Sequence, residues 1–214
     1  MGEDLRTAYG DLVALVAGLD EPASWQPTGC AGWAVRDLVL HLLSDAQRAL
    51  VALHTPAGGP ADRDAVTYWR DAPGRSDPGS RELRAVRTLA STYGLEALRQ
   101  QHAETSRAVL VAAERVPPDA LVATQGHVLR AGDLLETLVV EAALHHLDLV
   151  VALDRPGPAA GPLAAVRRTL DGLLGRPCPV PWDDAAWARA GTGRRPLTAD
   201  EQAAFGEGVL PLIR

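Results

Sequence analysis

Asp133-Leu134-Leu135-Glu136-Thr137-Leu138-Val139-Val140-Glu141-Ala142-Ala143-Leu144-His145-His146-Leu147-Asp148 reads as one amphipathic helix with an anomaly on its inner face. At 100° per residue, Leu134, Leu138, Glu141, His145 and Asp148 fall in one narrow arc. The two leucines mark that arc as core-facing. A carboxylate, an imidazole and a second carboxylate then continue it. Burying such groups without partners costs several kcal/mol, so the arc requires either hydrogen-bonding partners inside a helical bundle or a metal ion. Asp133 precedes Glu136 by three residues, an N-capping pattern. The helix is expected to run to about Leu153, roughly 28 Å at 1.5 Å per residue. Asp154-Arg155-Pro156-Gly157-Pro158 then ends it.

Three more long helical segments precede this one. Leu5, Ala8, Leu12, Leu15 and Val16 form an apolar stripe between about Asp4 and Leu19. Leu38, Leu42, Ala46, Ala49 and Leu53 form another between about Ala34 and Leu53. A third helical region spans about Arg81 to Arg115, with a break expected near Gly94 and a stop at Val116-Pro117-Pro118. Between the second and third, residues 55–80 are crowded with proline and glycine. They read as a long loop holding a short helical piece near Ala65 to Trp69. Past Pro162 a short helix from Leu163 to Leu174 is expected. A strand pair within Ala185–Leu197, turning at Gly191-Thr192-Gly193, and a last helix capped by the Thr198 and Glu201 pair follow. The expected fold class is therefore mainly α: an up-and-down four-helix bundle over residues 1–158 with a small C-terminal α/β appendage over residues 159–214.

Composition narrows the function classes. The 214 residues are 47% hydrophobic and 22% charged, the balance of a globular protein with a sizeable core. No apolar run approaches 18 residues, so no membrane span is expected. The acidic N-terminus lacks the pattern of a signal peptide, and a cytoplasmic location is expected. A net charge of −6 excludes the basic face of a nucleic-acid binder. Two cysteines, Cys30 and Cys178, do not make a disulfide framework. All 21 basic residues are arginine, so an arginine is no pointer to a site by itself.

Glu141 and His145 stand one helical turn apart, so both heads can reach one ion, as in the ligand pairs of bundle metal sites. A third ligand is needed. His41 flanks the Leu38–Leu42 stripe and is the best candidate. His54 at a helix end, His102 in the polar run Gln100-Gln101-His102 and His127 in a turn after Gly126 read as exposed or off the site. His146 points about 100° away from His145. Asp148 reads either as a group that orients an imidazole or as an exposed residue near the helix end. Two nitrogens and one oxygen with open positions are the donor set of a catalytic zinc, and iron is compatible with it. Cys30, just before the second helix, reads as a buried inert cysteine.

The run Cys30-Ala31-Gly32-Trp33-Ala34-Val35-Arg36-Asp37-Leu38-Val39-Leu40-His41-Leu42 resembles a signature of the mycothiol-dependent maleylpyruvate isomerase family, which belongs to the DinB-like metal-binding four-helix bundles. Glu141-Ala142-Ala143-Leu144-His145-His146-Leu147-Asp148 resembles its second signature, and Ala188–Thr198 resembles the closing segment of many members. The resemblance implies metal ligation by His41, Glu141 and His145. It implies a divalent metal, zinc first with iron or nickel as alternatives, and mycothiol as cofactor or co-substrate. The expected function is isomerisation or S-transfer on a small electrophile. A metal-dependent hydrolase and a non-enzymatic metal- or ligand-binding bundle are the alternatives. An arginine is expected to hold a substrate carboxylate or the thiol's polar groups; Arg194, Arg195 and Arg81 are the candidates.

Overall fold

The structure is a computed structural model that describes residues 2–71 and 81–213. The proline- and glycine-rich segment 72–80, read as loop from the sequence, lies outside the described residues.

Helix α1 (Gly2–Ala17) buries all five residues of its predicted stripe, together with Tyr9. A single turn, α2 (Glu21–Ser24), follows; the Asp20 carboxylate accepts the Ala23 N–H at 2.8 Å. Residues 25–34 form the loop that enters helix α3 (Val35–Leu53). In it Gly32 sits at φ +82, and the Trp33 N–H returns to the Cys30 carbonyl. This tight turn needs a residue without Cβ at that position. Asp37 accepts the Ala34 N–H at 2.9 Å and so ties down the first turn of α3.

After α3 the chain runs through one 3-10 turn (Thr67–Asp71), close to the predicted helical piece. The third helical region is split as expected at Gly94, into α4 (Arg81–Thr92) and α5 (Leu95–Arg115). A hairpin then appears that the sequence reading missed: β1 (Leu121–Thr124) pairs antiparallel with β2 (His127–Arg130) in the register Leu121↔Arg130. Its tip, Gln125-Gly126, has φ +49 and +83. A two-residue turn with both values positive is ordinarily signalled by Asn-Gly or Asp-Gly, and Gln125 hid it. Helix α6 (Ala131–Leu149) starts directly at the hairpin's end with Arg130 as N-cap. Asp133 is therefore not the cap but lies inside the first turn, where it still meets the positive end of the helix.

The four long helices α1, α5, α3 and α6 form a ring in that order, each packed on the next and α6 closing on α1. Their stripes fuse into one core with Leu38, Leu98, Val109, Val140 and Leu144 at or near complete burial. Each such side chain contributes roughly 1.5–3 kcal/mol from removal of apolar surface from water. Among the described residues, no helix is long and apolar enough to cross a membrane.

The C-terminal part corrects one expectation. Helix α7 (Ala160–Leu174) packs on α6 and α1, and the residues read as a strand pair form helix α8 (Asp184–Gly191) instead. Asp183 caps it by accepting the Ala186 N–H. Four of its eight residues are alanine, the strongest helix former. Gly191-Thr192-Gly193 ends this helix rather than turning a hairpin. The appendage is thus helical among the described residues, and the small sheet belongs to the bundle side. Helix α9 (Ala199–Phe205) carries the predicted Thr198–Glu201 capping box. Trp187 is fully buried between Trp182, which it meets at 6.0 Å, and Phe205, on which it stacks at 5.3 Å.

Candidate functional site

α3 and α6 bring together the residues singled out from the sequence. Glu141 Oε1 lies 3.3 Å from His41 Nε2 and 3.2 Å from His145 Nε2, so one carboxylate oxygen bridges two imidazoles from different helices. The two rings meet edge-on with centroids 4.8 Å apart. One donor atom from each of the three lies within 4.8 Å of the others. Trp33 packs against His41 at 5.2 Å, and its buried indole N–H has no partner among the described residues. His41 also faces Asp45 Oδ2 at 3.3 Å, and Arg48 pairs with the other side of that carboxylate.

Asp148, open to two readings from the sequence, is 1% exposed and orients the site. It faces His145 Nδ1 at 3.1 Å, opposite to the ring nitrogen that meets Glu141. Arg194, from the turn after α8, donates to both Asp148 oxygens at 2.8 Å each. The geometry is the bidentate fork that suits guanidinium and carboxylate. Gly29 closes the other side: its N–H donates to the Asp148 carbonyl at 2.9 Å, and a Cβ there would stand 2.3 Å from Asp148 Oδ1. Only glycine lets the loop before α3 approach α6 so closely. Cys30, its neighbour, is half-buried, with Sγ 3.3 Å from Asp148 Oδ2 and 3.8 Å from His145 Nδ1.

The charges alternate through this chain of contacts. Burial pushes the Glu141 carboxyl up, but His145 and His41 outweigh burial and hold it well below its ordinary range. Burial pushes His145 down, yet Glu141, Asp148 and Cys30 keep its imidazolium well above the usual value. Burial also raises Asp148, and His145 and Arg194 more than reverse that. His41 is lowered by burial, which the Glu141 hydrogen bond only partly offsets. These opposite directions favour the neutral form of His41, the form that ligates, and the protonated form of His145, whose proton a cation would displace.

The remaining candidates fall elsewhere. His54 is exposed and bonds the Leu50 carbonyl of its own helix. His127 begins β2 and pairs with Asp62. His146 is buried off the site, against the Pro156 carbonyl. Arg195 stacks on Trp182 and pairs with Glu201, and Arg81 is exposed at the start of α4. Cys178, far along the chain, faces the Val180 carbonyl.

His102 is a correction: it is 2% exposed, not solvated. It lines a small cavity inside the bundle with Tyr9, Asp45, Ser106 and Glu141, so all four long helices contribute polar groups behind the metal-ligand candidates. The signal was in the phase of α5. His102 follows Leu98 by four residues and precedes Val109 by seven, in step with the buried stripe. Burial lowers His102 from 6.5 to about 4. The unfolded chain then binds a proton that the native state refuses between those two values. Stability from this group is complete above pH 6.5 and declines as pH falls towards 4, by about 2 kcal/mol between pH 7 and pH 5. Urea unfolding at these two pH values checks this: His102→Gln should show a smaller difference in midpoint stability than the parent, and an equal difference would refute it.

Comparison with known proteins identifies the family and the fold. Residues 5–150 match the family model of the mycothiol maleylpyruvate isomerase N-terminal domain. Two solved structures share the fold: the mycothiol-dependent maleylpyruvate isomerase and a histidine-to-alanine mutant of it. Each is 19% identical with a TM-score of 0.56, over 81% of this chain and 67% of the other. No curated protein matches the chain. The matched span runs from the first bundle helix through the Glu141–Asp148 signature and covers well over half of the sequence, and on that ground the chain belongs to the mycothiol maleylpyruvate isomerase N-terminal domain family.

Proposed function

We propose that the protein is an isomerase-like enzyme that binds a divalent metal, zinc foremost, through His41, Glu141 and His145. It uses a low-molecular-weight thiol such as mycothiol to isomerise a small electrophile or to transfer the thiol sulfur onto one. The observation that carries this reading is the convergence of two imidazole nitrogens and one carboxylate oxygen from α3 and α6 within 4.8 Å. That donor set fits a catalytic rather than a closed structural site. A bound divalent ion supplies the acidity that holds a coordinating thiol as thiolate at neutral pH.

The chain's own residues do the rest. Asp148 accepts the His145 Nδ1–H, fixing the ring so that Nε2 faces Glu141 and His41. Arg194 and the Gly29 N–H hold Asp148 in turn. Trp33 offers an unpaired indole donor beside His41 for a bound ligand. Of the expected arginines, Arg194 is committed to Asp148 and Arg195 to Glu201. Arg48 is likewise engaged by Asp45, so no arginine is assigned to a substrate carboxylate. In this reading residues 1–158 carry the metal and residues 159–214 form a subdomain that closes the site through Arg194.

Calorimetry tests the proposal. Zinc-loaded protein should bind mycothiol, and chelator-treated protein should not. A panel of small electrophiles incubated with mycothiol and metal-loaded protein should yield an isomerised or S-conjugated product. Equal mycothiol binding with and without metal would sink the reading, as would metal-dependent ester hydrolysis without thiol dependence.

A further inference from the structure

Cys30, His145 and Asp148 make a second convergence of donors, on the side of the His145 ring away from His41 and Glu141. Sγ, Nδ1 and a carboxylate oxygen lie within 4.8 Å of one another. The individual separations are 3.8 Å from Sγ to Nδ1, 3.3 Å from Sγ to Oδ2 and 3.1 Å from Nδ1 to Oδ2. Two of the three residues are buried, and the turn closed by Gly32 holds the cysteine in place through the Trp33 N–H bond to its carbonyl. The group pairs a soft sulfur with a nitrogen and an oxygen, a mixed set suited to zinc-like ions rather than to magnesium or calcium.

We propose that Cys30, His145 and Asp148 form a second, thiolate-bearing cation position for a soft divalent ion, adjacent to the His41–Glu141–His145 set and sharing His145 through its other ring nitrogen. Binding forms bonds from the ion to Sγ, Nδ1 and Oδ2 and releases the thiol proton and the Nδ1 proton to solvent. A thiolate and a carboxylate neutralise the charge of a divalent ion. The imidazole is a neutral third donor while Nε2 keeps its proton; with both positions filled, Nε2 also loses its proton to solvent and the ring bridges the two ions as an imidazolate. Arg194 meets both Asp148 oxygens, Nε on Oδ1 and Nη2 on Oδ2, so an ion on Oδ2 displaces the Nη2 contact while Nε keeps its hold on Oδ1. The inference does not rest on the proposed thiol chemistry, since it concerns the face of His145 that Glu141 does not meet.

Cobalt(II) is the probe, because sulfur ligation gives it a near-ultraviolet charge-transfer band that nitrogen and oxygen ligands do not. Titrated wild-type protein should develop that band. Glu141→Gln, which weakens the first position, should keep it, and Cys30→Ser should lose it while still showing the visible bands of cobalt held by His41, Glu141 and His145. Absence of the band at saturation in the wild type overturns the proposal. So does its survival in Cys30→Ser, or its loss in Glu141→Gln. A second measurement needs no variant: zinc should protect Cys30 from alkylation, read by mass spectrometry, while Cys178 reacts at an unchanged rate as internal reference. Equal alkylation of Cys30 with and without zinc also overturns it.

Discussion

Replacing His41 with alanine is expected to weaken metal binding by more than about 100-fold and to abolish the thiol-dependent reaction with it. The magnitude follows from its place. Substitutions of residues that only support a ligand already cost about 10–100-fold, and His41 is proposed as one of three direct donors. It is also the only one supplied by α3, so the variant leaves a helical pair, Glu141 and His145, that belongs to a single turn of α6. The fold should survive, because the His41 side chain is 24% exposed and the α3 stripe around it is untouched. Metal content after dialysis, circular dichroism and turnover with mycothiol separate the effects. A folded variant that retains one equivalent of zinc at wild-type affinity would remove His41 from the ligand set. The wild-type metal affinity should also fall as the pH is lowered, since an ion must displace the proton that Glu141 and Asp148 hold on His145.

Local periodicity made the bundle readable. The stripes of α1 and α3 fall at three- and four-residue steps, and every residue named in them is buried. The Glu141–His145 pair was readable for the same reason, since one helical turn puts both heads on one side. What escaped the sequence is what depends on distant segments. The contacts of Cys30 with His145 and Asp148 escaped because those partners are more than a hundred residues away on α6. Asp148 had two readings until the chain returned at Arg194 to pair with it, and in a chain whose basic residues are all arginine nothing marked that one. The strand expectation for 185–197 failed because Gly-Thr-Gly suggested a turn, whereas the alanines before it and the Asp183 cap favour helix. The hairpin before α6 failed in the opposite direction: Gln125 adopts a positive φ that its residue type does not advertise.

Arg194→Ala is expected to cost more stability than any other single change at the site. Asp148 is buried and Arg194 mostly so, with side chains 2% and 14% exposed, and the pair joins the C-terminal segment to α6 across 46 residues of sequence. Removing one member of such a pair strands the other charge in a low-dielectric setting, which costs about 3–5 kcal/mol. For a chain of this length that corresponds to a drop of roughly 10 °C in Tm. Asp148 would then share its charge with His145 alone, so the imidazole orientation should loosen and metal affinity should fall alongside stability. Arg194→Lys keeps the charge without the two-pronged contact, so it should recover part of the loss but not all of it. The pairing itself is isolated by adding Asp148→Asn to Arg194→Ala: with no carboxylate left to strand, the double variant should be less destabilised than the sum of the two single changes by about 1 kcal/mol or more. Strict additivity in thermal unfolding would show that the two residues act independently, and the C-terminal segment would then lose its assigned role of holding the His145 support in place.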